Sequence, residues 1–424
     1  MLAARASAVR SASRLARNFA SVVDTAGVKV AAVDNGEPTS AVTFLIKAGS
    51  RFETKPGVAH ALKGFAFKST GQRSALGTIR EAELYGGVLS TSLTREHLAV
   101  TAEFLRGDEP FFVNVLSSFV TSAKFTRHEF SEYVAPVCQA ESTALLSDPA
   151  THALELAHAL AFRNGLGSSV FSSANSHLTI DDVKAYAASV FGAGNIAVLG
   201  TGINPATLQG LVEQSLGSLS AAATPASSPS KYFGGETRID GHGAPETVFV
   251  GFGTTGASAP ELAVLAAHLD PTPAIKWSQG LSPIAAGTPV GTSVKSVLLP
   301  YSDATLFGLL IQGETTEGVK AAGQAAVTAL KAAGSLKGED LKKAVSKAKF
   351  EAASAFDKRD GLISALGSTA FSGSPVTLDG ALSGLDKVDA SAVSKITSSL
   401  LKSKPTYVAI GNTASLPYAD ELGL

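Results

Sequence analysis

Two distant stretches of this chain follow one plan, and that repetition limits the folds open to it more than any motif does. The first runs from Thr179 through an amphipathic helix to Phe191, a short loop and the strand Ile196-Ala197-Val198-Leu199, closed by Gly200. The second runs from Asp389 through a helix to Leu401, a loop differing by one residue, and the strand Tyr407-Val408-Ala409-Ile410, closed by Gly411. Thr179 and Asp389 each offer the side-chain oxygen an N-cap needs, just before the matching Val183 and Val393. Upstream, an apolar strand at 42–46 leads to Gly49 and Pro56, and another at 248–250 leads to Gly253 and Pro260. Between the copies lies LSAAATPASSPS, an uncharged, aperiodic Ala/Ser/Pro stretch that reads as a linker. The spacing predicts a tandem duplication: a first domain over 20–218, a linker over 219–231 and a second domain over 232–424.

Each half reads as strands, then several helices, then a closing strand. Apolar and β-branched runs predict strands at 28–33, 42–47 and 88–105, then at 246–252, 293–299 and 304–312. Helical spacing predicts helices at 110–122, 127–146, 152–162 and 180–191, and at 317–333, 338–356, 359–371 and 390–401. Strands and helices run in blocks rather than alternating, which predicts an α+β fold.

Composition narrows the function. Only 17% of the 424 residues are charged, below the usual quarter, so much surface is expected to lie against other subunits. No run of 18 uninterrupted apolar residues predicts a membrane-spanning helix. Cys138 is the only cysteine, which excludes an intrachain disulfide and a cysteine-based metal cluster. Residues 1–20 carry Arg5, Arg10, Arg14 and Arg17, several serines and no acid. That pattern predicts a mitochondrial transit peptide over 1–19, with Arg17-Asn18-Phe19 before Ala20-Ser21 resembling a matrix cleavage site. The rest of the chain has no basic excess to support nucleic-acid binding.

One segment, Gly57-Val58-Ala59-His60-Ala61-Leu62-Lys63-Gly64, has the outline of an H-x-x-E-H zinc helix with its chemistry removed. His60 stands at the first ligand, but Lys63 occupies the place of the glutamate base and Gly64 that of the second histidine. A zinc ion takes at least three protein ligands, so one imidazole beside an ammonium predicts no metal site, no catalytic residue and no cofactor. Glu96 and His97 nearby are read as neighbours on a strand facing opposite ways, which bars them from acting together.

With the ordered markers Gly49-Ser50-Arg51-Phe52-Glu53, Pro56 to His60, Gly86-Gly87, Thr94-Arg95-Glu96 and Ala161 to Gly167, the chain resembles the mitochondrial processing peptidase/pitrilysin family. Lys276-Trp277 before Gly280-Leu281-Ser282-Pro283, and Tyr301-Ser302-Asp303 before Leu306-Phe307-Gly308, look like its branch of core subunits of ubiquinol–cytochrome c reductase (respiratory complex III). The resemblance spans nearly the whole mature chain. It implies two similar domains, each a largely antiparallel sheet packed with helices, facing each other across a cavity. It implies a matrix-facing, non-catalytic subunit peripheral to the inner membrane, supporting the complex and partnered by core protein 1 and other subunits. In active relatives a downstream glutamate completes the zinc site; Glu141 lies in that neighbourhood and reads more simply as a solvated helix carboxylate.

Other signals are set aside. Gly251-Phe252-Gly253-Thr254-Thr255-Gly256 is a formal dinucleotide fingerprint with Asp270 near the acid position, but no strand follows the next helix. The segment 280–291 is read as a mobile loop; it lacks the glycine run of the substrate-binding subunit of the processing peptidase, the alternative function considered. No G-x-S-x-G elbow supports acyl transfer.

Overall fold

The computed structural model describes residues 22–25, 27–173, 176–221, 225, 227–241, 245–256, 259–273, 282–372 and 378–424. The N-terminal segment 1–19, part of the linker, and Lys276, Trp277, Gly280 and Leu281 lie outside the described residues. The chain forms two compact units. They differ from the halves of the sequence in two segments: residues 141–169 precede the linker yet pack in the second unit, and residues 354–380 follow it yet pack in the first.

The first unit is built on a six-stranded sheet of β1 (Val23–Thr25), β2 (Val28–Val33), β3 (Thr39–Ile46), β4 (Val88–Leu93), β5 (Leu98–Leu105) and β6 (Ile196–Thr201), in the order β1-β2-β6-β3-β5-β4. Only the β2–β6 pair is parallel. In β5, LAVTAEFL, burial alternates along the strand as a sheet with one core face requires. On the inner face Phe44, Ile46, Leu98, Phe104, Ile196 and Val198 meet the helices Val58–Gly64, Glu109–Ser122, Ile180–Val190 and Pro205–Leu216. The other face is covered by the helix Arg359–Ser372, whose Leu366 and Ala370 pack on Ala31, Val33, Ala197 and Leu199. Arg359 ties that helix down, reaching Glu103 at 2.5 Å and the Thr39 hydroxyl at 3.0 Å.

The second unit repeats this plan with β7 (Gly235–Asp240), β8 (Glu246–Thr255), β9 (Thr292–Pro300), β10 (Ala304–Gly313) and β11 (Thr406–Gly411), ordered β7-β11-β8-β10-β9. Its one parallel pair is β7–β11. Val248, Val250, Leu309 and Tyr407 face the helices Pro260–Leu269 and Thr316–Ala332. Phe249, Leu310, Val408 and Ile410 lie under the helix Pro149–Phe162, which presents Ala153, Ala157 and Ala161. Each sheet therefore buries its second face beneath a helix drawn from the other half of the sequence. An uncovered face of Val, Leu and Ile would lose roughly 25 cal/mol for every Å² left in water.

The two sheets also correspond in strand register. Ile196 opposes Ile46 across β6–β3, and Tyr407 opposes Val250 across β11–β8. Counting onward from Ile46 and Val250 brings Gly49 and Gly253 to the same place, as the sequence spacing predicts. The expected N-caps also form: Thr179 accepts from the Asp182 amide in a reciprocal capping box, and Asp389 accepts from Ala392 at 2.7 Å.

Several local expectations are corrected. The strand material read over 88–105 is a hairpin of β4 and β5, and Glu96 and His97 sit in its turn rather than on a strand. The helix read over 127–146 contains a π-helical turn at Phe130–Val134. The helices Ala75–Leu84 and Pro205–Leu216 were not predicted. The first buries only Thr78 and Ala82 and so has little periodic signal. The second carried a readable start, Asn204 capping Ala206 with Pro205 at the first turn. The glycine fingerprint is not a loop: Gly251 and Gly253 lie inside β8. Gly251 opposes Gly308 of β10, and a Cβ on Gly251 would come within 2.5 Å of the Phe249 ring. Phe249 also abuts Gly308, and Tyr232 abuts Gly253, so these glycines make room for aromatic rings on the sheet.

Candidate functional site

The zinc-helix remnant is the helix Val58–Gly64, entered through Gly57, whose φ of 85° few other residues tolerate. His60 is 2% exposed and stands edge-on to Phe171, ring centroids 5.6 Å apart. The Ser172 amide donates to His60 Nδ1 at 3.1 Å. A neutral imidazole has one lone-pair nitrogen, and here that pair accepts the Ser172 proton. Nε2 then carries the ring hydrogen and is not set up as a metal ligand.

The next turn is closed by packing. A Cβ at Gly64 would lie 2.8 Å from Cγ1 of Val134, the last residue of the π turn. The position a second histidine would occupy is thus filled by a valine from a neighbouring helix. Lys63 is half-buried on the same helix. Glu141 lies on the helix Ala135–Ser147, half-buried, in a segment that packs with the second unit. Among the described residues, no three His, Cys, Asp or Glu side chains are grouped to hold a metal ion.

Glu53, in the Gly49–Glu53 marker, sits before the remnant helix and accepts from the Gly57 amide at 3.0 Å and the Ala59 amide at 3.5 Å. Burial raises its pKa to about 7, against the pull of these two donors. Behind it, Arg51 pairs with Glu96 at 2.8 Å, both largely out of water. Arg51 and Gly49 also donate through their backbone amides to the carbonyls of Arg95 and Glu96. The two markers 49–53 and 94–96 are therefore the two sides of one clasp. His97, next in the turn, stacks on Phe371 at 5.1 Å, and burial drives its pKa down to about 4 against the attraction of Glu96. It is neutral at physiological pH.

A pocket of about 170 Å³ lies beside the remnant helix, walled by Ala61, Phe130, Cys138, Gln139, Ser172 and Ser176. Among the described residues its polar lining consists of hydroxyls and an amide. The buried Cys138 contributes its thiol to that wall. Sequence reasoning missed Ser172, Val134 and the perturbation of Glu53. The first two act across the fold from distant segments, where no local pattern could mark them.

In the second unit Tyr301 and Asp303, read from the sequence as a branch marker, hold two segments at the β9–β10 turn. The Tyr301 hydroxyl meets Nε2 of the buried His158 at 2.7 Å, fixing the helix Pro149–Phe162. Asp303 accepts from the amide and the hydroxyl of Ser230, where the chain leaves the linker.

The profile of the insulinase family of peptidases (M16) matches residues 29–174. Over 99% of its length the chain is 46% identical to the protein named cytochrome b-c1 complex subunit 2, mitochondrial, of Cryptococcus neoformans, covering 98% of that protein. It is 38% identical to the protein of the same name from Yarrowia lipolytica over 96% of the chain and 97% of the relative. The human protein of that name is 27% identical over 93% of this chain and 90% of its own.

Proposed function

Because this chain belongs to the mitochondrial cytochrome b-c1 complex subunit 2 family, an M16 peptidase lineage, we propose that it is a non-catalytic core subunit of that complex (ubiquinol–cytochrome c reductase). The similarity at 46% identity, end to end on both chains, carries this reading. The relatives' names favour it over presequence processing. The remnant helix supports it: the Nδ1 lone pair of His60 is taken, Lys63 replaces the base, and Val134 fills the space at Gly64. On this reading the zinc site is lost, and the scaffold serves by docking.

The same reading extends to place and partners. Residues 1–19 direct the chain to the mitochondrion and are removed there. The mature subunit lies on the matrix side of the inner membrane beside core protein 1. No described helix is long and apolar enough to cross a membrane, so attachment runs through other subunits. Native gels of mitochondria test this: the chain should migrate with the cytochrome b-c1 complex. Recovery of the chain alone, away from every other subunit, would refute it. Metal analysis of the purified chain should find no stoichiometric zinc, and one tightly bound zinc per chain would overturn the loss of the site.

A further inference from the structure

Two Asn-Gly pairs occur in this chain, Asn35-Gly36 and Asn164-Gly165, and the fold treats them differently. An asparagine before glycine can modify itself. The glycine nitrogen, on losing its proton, attacks the side-chain carbonyl carbon of the asparagine. The bond to the side-chain nitrogen breaks, ammonia leaves with a proton, and a five-membered imide closes. Water then opens either carbon–nitrogen bond of the ring, leaving an aspartyl or an isoaspartyl residue. Glycine favours the reaction because no Cβ shields the attacking nitrogen. The proton on that nitrogen therefore controls the rate.

Both asparagines are exposed, and both glycines lie in the left-handed region, at φ 74° and 71°. Asn35 belongs to the connection from β2 to β3. There the Gly36 amide donates to Asp34 Oδ1 at 2.9 Å, a bond to a charged acceptor. Arg106 fixes that acceptor, donating to both Asp34 oxygens and to the Glu37 carbonyl. The same guanidinium holds the Asp34 carboxyl below its usual range, so the charge persists. Hydrogen bond and like charge both keep the proton on Gly36, because a nitrogen anion beside a carboxylate is disfavoured.

Asn164 follows the helix Pro149–Phe162 without such a guard. Among the described residues nothing accepts from the Gly165 amide, and the Asn164 side chain makes no capping bond. The residue before it is a cation, Arg163, held at φ 58° with its guanidinium 4.0 Å from the Phe233 ring centroid. A positive charge nearby favours loss of the Gly165 proton, where Asp34 opposes loss of the Gly36 proton.

We propose that Asn164 is a site of self-modification in the folded chain, passing through an imide with Gly165 to an aspartyl or isoaspartyl residue, while Asp34 and Arg106 withhold the same reaction from Asn35. Water is the co-reactant, and each event adds one negative charge next to Arg163.

Peptide mapping by mass spectrometry, on the full chain aged in heavy-oxygen water, tests this. The label marks each event and separates it from conversion that preceded the incubation. Asn164 should convert at least about tenfold faster than Asn35, the effect of one charge-assisted hydrogen bond that must first break. Equal rates, or a faster Asn35, would overturn the proposal. Asn164 should also speed up as pH rises, since its neighbour must lose a proton; a rate indifferent to pH would count against the imide. Asp34→Ala should accelerate Asn35 at least about tenfold and leave Asn164 unchanged. An unmoved Asn35 in that variant would remove the guard. In concentrated urea the two sites should lose most of their difference, whereas a gap that survives unfolding would trace it to neighbouring residues and defeat the role given to the fold.

Discussion

Glu53 is a carboxyl whose environment clearly departs from water. Its carboxyl titrates near 4.5 in an unfolded chain and at about 7 in the folded one. Between those values the folded chain binds more protons than the unfolded chain, so stability falls as pH rises through that window. Glu53→Gln keeps an oxygen for the Gly57 amide and removes the buried charge. It should flatten the melting temperature between pH 5 and 7 and stabilise the chain at pH 8 by roughly 2 kcal/mol. A variant that melts in parallel with the parent at every pH would contradict this. At the remnant helix, Gly64→His should cost about 1–3 kcal/mol through its collision with Val134. Adding Val134→Ala should recover part of that loss in urea denaturation, and additive losses would show that the two sites do not touch. At this scale the sequence was legible where chemistry is local. His60, Lys63 and Gly64 could be read as an emptied motif, but the Ser172 amide on His60 could not, because 112 residues separate them.

Single elements show where periodicity suffices and where it fails. The helices and strands with a strong apolar face were placed to within a few residues, and the caps at Thr179 and Asp389 fixed two helix starts. The glycine fingerprint, set aside from the sequence, shows that a motif records spacing and not what fills the space. Phe249 explains Gly251 and Gly308 by its volume, so Gly251→Ala or Gly308→Ala should destabilise by about 2–4 kcal/mol. Phe249→Ala should mask either substitution, a result that double-mutant thermal melts can deny. Beside its apolar packing, the helix Pro149–Phe162 is held by a buried polar pair. Tyr301→Phe removes the hydroxyl that meets His158 Nε2 and should cost about 1 kcal/mol. Protease cleavage near residue 149 should rise in that variant, and unchanged cleavage would remove the helix anchor from the account.

For the whole molecule, two halves and a linker were read from the sequence, but not which sheet each helix covers. An amphipathic helix announces that one face is buried and not what buries it. Ala153, Ala157 and Ala161 fit the Phe249 sheet, and Leu366 and Ala370 fit the β2–β6 sheet; neither preference is written in spacing. The exchange has a direct consequence for fragments. Residues 22–218 alone lack the cover for Ala31, Val33, Ala197 and Leu199, so they should aggregate or fail to melt cooperatively. Co-expression with 219–424 should restore one cooperative transition in calorimetry, and an independently folded first fragment would reject the exchange.

The reciprocal loan of helices also bears on ancestry. A protein made of one repeat would have had an apolar sheet face bare in the monomer, and two such molecules could cover it only by trading helices. Joining two such repeats through a short tether would turn that trade from a meeting of two molecules into a closure within one, no longer subject to dilution. In a joined chain neither half need mirror the other, and among the described residues β1 borders β2 while no strand borders β7 on the side away from β11.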